Sequence, residues 1–327
     1  MLLLNRKDIE SIFAMTDAIE ADKKAFSMFS LDKCKSPIRT NFKSENADGS
    51  ILYMPGYIKD LGISGLKIVS VFPENHKYNL PSTPGTVLLV DDKNGLVNCI
   101  LDGTYVTELR TGAASGAAIS LLANKGSKIG ALIGCGGQAE SQLDAMLTGC
   151  ETLEEIRIYS RNKDKRTAFA KRMQEKYKSV KIIASPNSDE AIDNADVIIM
   201  VTTSSVPVIN GDKVKKGALV SGVGSYMPNM HEFDEKTLIK ADKIYFDSKD
   251  AVLSEAGCII TPLKKGKISE SDFTGDLGDL INGNIPSRES EDEIIVFKTV
   301  GISVQDLVTA KMIFDKAVEN NIGYEWK

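Results

Sequence analysis

The chain of 327 residues is long enough for two domains, each with a core of its own. Its 26% charged and 42% hydrophobic residues are ordinary for a water-soluble globular protein, and no apolar run approaches the ~20 residues that a bilayer span requires. A net charge of −5 offers nothing to a polyanion, so nucleic-acid binding is not expected.

The opening MLLLNRKDIESIF lacks a long apolar segment and meets acidic residues early, so no signal peptide is expected. Apolar residues at helical spacing predict a helix from Asp8 to about Phe29. Short apolar stretches follow, ILYM, GLKIVSVF and TVLLVDDKNGLVNCILDG, the last a hairpin turning at Lys93-Asn94-Gly95. Antiparallel strands with a helix predict an α+β domain. The stretch RTGAASGAAISLLA (110–123) is small and apolar at helical spacing and reads as a closely packed helix linking two domains. From Lys128 the pattern changes. Strand-like runs KIGALIG, EIRIYS, VKIIAS, ADVIIMVT, ALVSGVGS and KIYFDS alternate with helical or loop segments such as KDKRTAFAKRMQEKY, which predicts a parallel sheet covered on both faces. After residue 290, EIIVFKTVGISVQDLVTAKMIFDKAVENN reads as a strand, a glycine turn and a long amphipathic helix, a tail expected to return to the first domain.

Cys34, Cys99, Cys135, Cys150 and Cys258 are scattered, odd in number and never spaced C-x-x-C, which predicts reduced thiols in a cytoplasm, with no disulfide frame and no zinc site. With His76 and His231 as the two histidines, a multi-histidine metal centre is excluded and no metal is expected.

Within GALIGCGGQAES (130–141), Gly134, Gly136 and Ala139 have the spacing G-x-G-x-x-A after a strand, before a helix and at the start of a βαβ unit. Gly134 permits a tight turn, Gly136 lets backbone approach a pyrophosphate, and Ala139 lets the helix pack close to the strand, its N-terminus favouring the anion. At the end of the next strand, where NAD sites usually place an acidic residue for the ribose hydroxyls, the chain has IYSRN. Ser160, Arg161 and Asn162 put a hydroxyl and a guanidinium there with no carboxylate, which suits a 2′-phosphate and favours NADP(H), with NAD(H) possible. Arg166 stands close by to assist; the alternative is that Arg161 is a solvated surface side chain.

These residues, with SPIRT, YMPGY, GLKIVSVFPEN, TELRTGAASGAA, GCGGQA, GVGSYMPNMHEFD and VFKTVGISVQDLVTA in order along the chain, resemble the ornithine cyclodeaminase/mu-crystallin family over nearly the whole length. The resemblance implies an α/β fold: a Rossmann doubly wound parallel sheet (116–304) inserted in a smaller α+β domain for substrate binding and dimerisation (1–115 plus 305–327). It implies a homodimer joined through the N-terminal domain, acting with a nicotinamide cofactor on a small imino or amino acid. It implies that Arg39, Lys67 and Arg110 gather around the substrate carboxylate and nicotinamide. Cofactor contacts then fall on Ser82, Thr111, Gly137, Gln138, Ser160, Arg161, Thr202, Val223, Gly224, Thr299 and Val300. The residues agree in kind, because a carboxylate in a cleft needs cationic donors and arginine can hold it with two parallel hydrogen bonds. Lys67 lies mid-strand between Leu66 and Ile68, so it is either a buried charge in need of a partner or an outward-facing lysine. Asp306 either orients its neighbours or lies on a helix surface.

One departure bears on the reaction. Ornithine cyclodeaminases carry an aspartate just after the GVG strand; this chain has Ser225, as does mu-crystallin, a ketimine reductase. Cyclodeamination must deprotonate an ammonium, a task for a carboxylate, whereas reduction of a preformed ketimine asks only for a held carboxylate, a proton and a close hydride. Ser225 is therefore taken with Lys67 and Arg110 as catalytic, in a reductase of cyclic α-imino acids such as pyrroline-2-carboxylate and piperideine-2-carboxylate, giving proline and pipecolate. The alternatives are ornithine cyclodeaminase (ornithine to proline plus ammonia), a deaminating amino-acid dehydrogenase and a non-catalytic binding protein. Glu232 and Asp247 are expected to be structural, and His231 to be a surface residue at a helix start.

Overall fold

The computed structural model describes residues 1–327, the side chain of His76 excepted. Two compact units divide it: Met1–Ala113 with Gly301–Lys327, and Ala114–Val300.

In the first unit, β1 (Leu2–Leu4) leads into α1 (Arg6–Ile12), whose start is set by Asn5 and Asp8 in a reciprocal capping box. The single helix expected over 8–29 is in fact two. Phe13 is extended (φ −135°, ψ 106°), and α2 (Met15–Ser30) restarts where the Asp17 carboxylate accepts the Ala14 N–H. Apolar spacing continues through this break because Phe13 and Met15 are both buried, so periodicity alone does not register it. Strands β2 (Cys34–Lys35), β3 (Thr40–Lys43), β4 (Ser50–Ile58), β5 (Ile63–Val71), β6 (Gly85–Asp91) and β7 (Val97–Asp102) follow, β6 and β7 forming the expected hairpin. The chain then enters α3 (Gly103–Leu122), within which the boundary between units falls.

The second unit is built on eight parallel strands: β8 (Ile129–Ile133), β9 (Glu155–Tyr159), β10 (Lys181–Ala184), β11 (Val197–Met200), β12 (Leu219–Gly222), β13 (Lys243–Phe246), β14 (Gly275–Asp276) and β15 (Ile295–Lys298). Their order is β10-β9-β8-β11-β12-β15-β13-β14. Strand β8 is followed outward on one side by β9 and β10, and the chain then crosses to β11 on the other, so the topology reverses between β8 and β11, where open α/β sheets bind ligands. Strands β11, β12, β13 and β15 are buried at every position, as near-continuous apolar runs demand in a sheet covered on both faces. Helices α4 (Ala139–Gly149), α5 (Lys163–Lys176), α6 (Ser188–Ile192), α7 (Glu235–Ile239), α8 (Lys249–Glu255), α9 (Gly257–Lys264) and α10 (Leu277–Ile281) complete the unit.

The tail after residue 290 does not return whole. Strand β15 inserts between β12 and β13, because IVFK is buried on both faces there; the helix α11 (Ser303–Asn320) and β16 (Tyr324–Glu325) belong to the first unit. In that unit the sheet runs β16-β1-β7-β6-β5-β4-β2, with β3 also on β4. Helix α11 packs on α2 and across β4, β5 and β6. Leu307 seats it against the cross-strand pair Gly56 and Gly65, where an added Cβ would come within 2.8 Å and 2.6 Å of the leucine methyls. Beside it Asp306, one of four buried polar residues of the helix, reaches Lys67 on β5.

Candidate active site

The glycine loop behaves as its spacing requires. Gly134 has φ +121°, and a Cβ there would lie 2.5 Å from the Val201 carbonyl oxygen, so only glycine lets the loop after β8 pass the end of β11. Gly136 and Gly137 are exposed, with open space where a Cβ would stand, and Ala139 is fully buried at the start of α4. Gln138 gives this helix no side-chain cap, and the Ala139 N–H turns back to the Gly136 carbonyl at 3.1 Å, so the helix start carries no side chain over it where an anion would approach. A bare, approachable backbone at an uncapped helix start is the setting a dinucleotide pyrophosphate fits.

At the end of β9, Ser160 is half-buried, while Arg161 and Asn162 are exposed; Asn162 caps α5 through the Lys165 N–H. Arg166, expected to stand by Arg161, is engaged with backbone carbonyls. Its guanidinium donates to the carbonyls of Ser160 (2.9 Å) and Pro186 (3.1 Å) and lies over the Tyr159 ring, bracing the loop that Arg161 projects from.

The next strand ends are tied by buried carboxylates. Glu232 is fully buried and accepts from the N–H groups of Thr202 (2.6 Å), Gly224 (2.6 Å) and Ser225 (2.9 Å). Burial pushes its pKa up to about 7, opposed by Lys298 and by these N–H groups. Because both oxygens face donors, a proton on either would meet another hydrogen, and the geometry is that of a carboxylate. Asp247 holds the Thr299 hydroxyl (2.7 Å) and the Val300 N–H (2.9 Å), and Lys298 donates to the Gly222 and Thr299 carbonyls. Val223 is buried and Gly224 half-buried beside Thr202. Ser225, expected as a catalytic hydroxyl, is fully buried and donates to the Met230 carbonyl at 2.7 Å, so it braces its own loop. His231 is not at a helix start: α7 begins at Glu235 with Asp234 as its cap, and the half-buried imidazole bonds the Thr261 hydroxyl.

In the first unit a second cluster forms. Along β5 the buried face carries Ile63, Gly65, Lys67 and Val69, so Lys67 points inward and is completely buried. Its Nζ donates to Asp306 Oδ1 at 2.6 Å, and the same oxygen lies 3.0 Å from Arg110 Nε. Burial above all, then the Arg110 charge, pulls Lys67 down to about 7, with Asp306 opposing and Arg39 adding to the shift. Asp306 Oδ2 has no protein hydrogen-bond partner among the described residues. Gly301 (φ +81°) lies flat against Arg110, and its carbonyl accepts from Arg39 Nη2 at 3.0 Å. Two cations thus meet one carboxylate, and the Arg39 charge adds to the field on Lys67, an excess of positive charge that suits a small acid. Thr111 is half-buried one residue beyond Arg110, and Ser82 is exposed in the loop before β6, its carbonyl accepting the Phe72 N–H. Asp306, Gly301 and Glu232 are the residues sequence reasoning undervalued; Asp306 shares its buried helix with Ser303, Gln305 and Thr309, so its polarity alone did not single it out. Among the described residues no group of three His, Cys, Asp or Glu side chains could hold a metal.

A doubly wound parallel sheet with a glycine loop at its switch point defines a dinucleotide-binding α/β protein. The model of the ornithine cyclodeaminase/mu-crystallin family matches residues 1–321, and the chain belongs to that family. A Δ1-pyrroline-2-carboxylate reductase of Bacillus cereus is 36% identical over 323 residues, which are 99% of this chain and 98% of its own. The Thermococcus litoralis Δ1-pyrroline-2-carboxylate reductase, solved in complex with NADH and L-proline, is 37% identical with a TM-score of 0.95 and 100% of each chain covered. An archaeal alanine dehydrogenase dimer with bound NAD is 30% identical with a TM-score of 0.91, over 100% of this chain and 99% of that one.

Proposed function

We propose that this protein is an NAD(P)H-dependent reductase of cyclic α-imino acids, converting Δ1-pyrroline-2-carboxylate or Δ1-piperideine-2-carboxylate to proline or pipecolate. The observation that carries the reading is the buried Lys67–Asp306–Arg110 cluster, a cationic grip that an α-imino carboxylate matches. When bound, the reduced nicotinamide supplies the hydride. Arg39 and Arg110 hold the substrate carboxylate, and Lys67 gives a proton to the ring nitrogen. A lysine lowered to about 7 is matched to proton transfer near neutral pH. Asp306 fixes the direction of the Lys67 ammonium. Ser82, Thr111, the loop from Gly134 to Ala139, Ser160, Arg161, Asn162, Thr202, Val223, Gly224, Ser225, Thr299 and Val300 are assigned to the cofactor.

NADP(H) is preferred over NAD(H) in this reading, because the end of β9 presents Ser160 and an exposed Arg161 where an acidic residue would repel a 2′-phosphate. The homodimer reading rests on the outer face of the N-terminal sheet, where Leu66, Ile68, Leu88 and Ile100 are half-exposed, and on the dimer of the related alanine dehydrogenase. The cytoplasmic reading rests on the five scattered, odd-numbered cysteines. No helix is long and apolar enough to cross a membrane among the described residues.

Against ornithine cyclodeamination stands the engagement of Glu232 and Asp247: both carboxylates are committed to backbone N–H groups, so neither is a ready base beside Ser225. A deaminating amino-acid dehydrogenase is the second reading, favoured by the likeness to the alanine dehydrogenase. Purified protein given NADPH and pyrroline-2-carboxylate should oxidise one NADPH per proline formed. Ammonia release from ornithine without net nicotinamide oxidation would establish the cyclodeaminase instead, and NADPH binding with no turnover on imino or amino acids would leave a binding protein.

A further inference from the structure

We propose that Glu232 is a positioning residue for the nicotinamide end of the cofactor site: one buried carboxylate joins the ends of two neighbouring strands into a single rigid backbone surface. The inference rests on the dinucleotide-binding reading of the second unit. Strands β11 and β12 pair in register, Met200 opposite Gly222, and two residues beyond that pair come Thr202 and Gly224. These ends touch through their backbones, since a Cβ on Gly224 would stand 2.0 Å from the Thr202 carbonyl oxygen. With the ladder finished, the N–H groups of Thr202, Gly224 and Ser225 have no strand partner, and each is costly if buried unpaired.

Glu232 answers all three. Oε1 accepts from Thr202 N–H at 2.6 Å and lies 3.3 Å from its hydroxyl; Oε2 accepts from Gly224 at 2.6 Å and Ser225 at 2.9 Å. A carboxylate suits this because it offers acceptors alone, whereas an amide would turn an NH2 toward one of the pairs. Glu232 is itself held: its carbonyl accepts the Val208 N–H, and the next residue, Phe233, fills the space over Gly222. Its neighbour Lys298 closes the strand ends from beneath through the Gly222 carbonyl. The residues so braced, Thr202 and Val223 to Ser225, are those assigned to the cofactor, and small displacements of such groups cost far more in rate than in folding.

The experiment compares Glu232→Gln and Glu232→Asp with the wild type, measuring the NADPH dissociation constant by fluorescence, kcat and KM on pyrroline-2-carboxylate, and the primary isotope effect with NADPH deuterated at the transferred position. Loss of charge-assisted hydrogen bonds in E232Q should weaken NADPH about tenfold or more, lower kcat and raise the isotope effect, with E232D recovering part of each. A folded E232Q with NADPH affinity, kcat and isotope effect all within about twofold of wild type overturns the proposal, whatever its melting temperature. Should E232Q fail to fold, hydrogen exchange in the cofactor-free wild type decides. Protection of the Thr202, Gly224 and Ser225 amides at the level of the central strands supports the clamp, and rapid exchange overturns it. A wild type that binds NADPH but reduces no imino acid defeats the substrate reading alone, because the change in NADPH affinity in E232Q still supports positioning.

Discussion

Replacing Gly301 with alanine tests whether Arg110 is a gripping residue whose position matters. The new Cβ would stand 2.2 Å from Arg110 Nη1 and 3.0 Å from Cζ, so the guanidinium must retreat by roughly 1 Å, a misplacement that can cost about 100-fold in rate. Its Nε lies 3.0 Å from Asp306 Oδ1 as an ion pair that opposes retreat, and displacement of the guanidinium carries its outer nitrogens away from the acid they are assigned to hold. The backbone adds its own strain, since φ +81° costs an L-residue about 1–2 kcal/mol. Steady-state turnover of pyrroline-2-carboxylate, with proline binding measured separately, should show kcat/KM reduced about 100-fold, proline affinity reduced with it, and a melting temperature lower by about 2–4 °C per kcal/mol. A G301A protein with lowered melting temperature but kcat/KM and proline affinity within about threefold of wild type would refute the assignment of Arg110 to the substrate carboxylate.

Lys67→Met should lower kcat at least about 100-fold through loss of the proton donor, with NADPH affinity within about twofold; undiminished kcat would exclude Lys67 from the proton step. In the wild type the ammonium is lost as pH rises through about 7, so kcat/KM should fall on the alkaline side with a slope of one proton, a limb absent from K67M. The same shift sets a stability profile. The unfolded lysine titrates at 10.5 and the folded one at about 7, so between these values the unfolded chain holds more protons and stability should rise with pH; melting curves of K67M should lack that rise. Arg161→Ser should weaken NADPH about tenfold and leave NADH within about twofold, whereas equal loss for both would show that Arg161 does not meet a 2′-phosphate.

How much of this was legible beforehand depended on whether the signal was local. The central sheet was readable because its strands are apolar on both faces; even IVFK announced a strand, though not its place between β12 and β13, which is a matter of pairing alone. The glycine loop was readable because turn, close approach and helix start are encoded within six residues. Lys67 was ambiguous for the opposite reason. On an alternating strand a lysine reads as outward, and its partner Asp306 lies 239 positions away on a helix where an aspartate is unremarkable. Gly301 read as a turn residue, and its second duty as a seat for Arg110 exists only after folding. The break at Phe13 was hidden because both sides of it are buried.

The orientation of Ser225 decides how the reductase and cyclodeaminase readings can be separated by mutation. Writing in the aspartate that ornithine cyclodeaminases carry, Ser225→Asp, is the obvious conversion, and the geometry predicts that it fails. The native side chain is fully buried and donates its hydrogen to the Met230 carbonyl at 2.7 Å, while its own N–H is already bonded to Glu232. A carboxylate in that place would set acceptor against acceptor at Met230 and a second negative charge beside Glu232. Burying an unpaired ion costs several kcal/mol, so the new group would take up a proton and cease to be a base. S225D should therefore melt earlier than wild type, lose reductase activity through the disturbed strand end, and release no ammonia from ornithine. Ammonia release from ornithine by S225D would mean that position 225 opens toward substrate, and the inward bracing of its side chain, with the argument against cyclodeamination built on it, would be wrong.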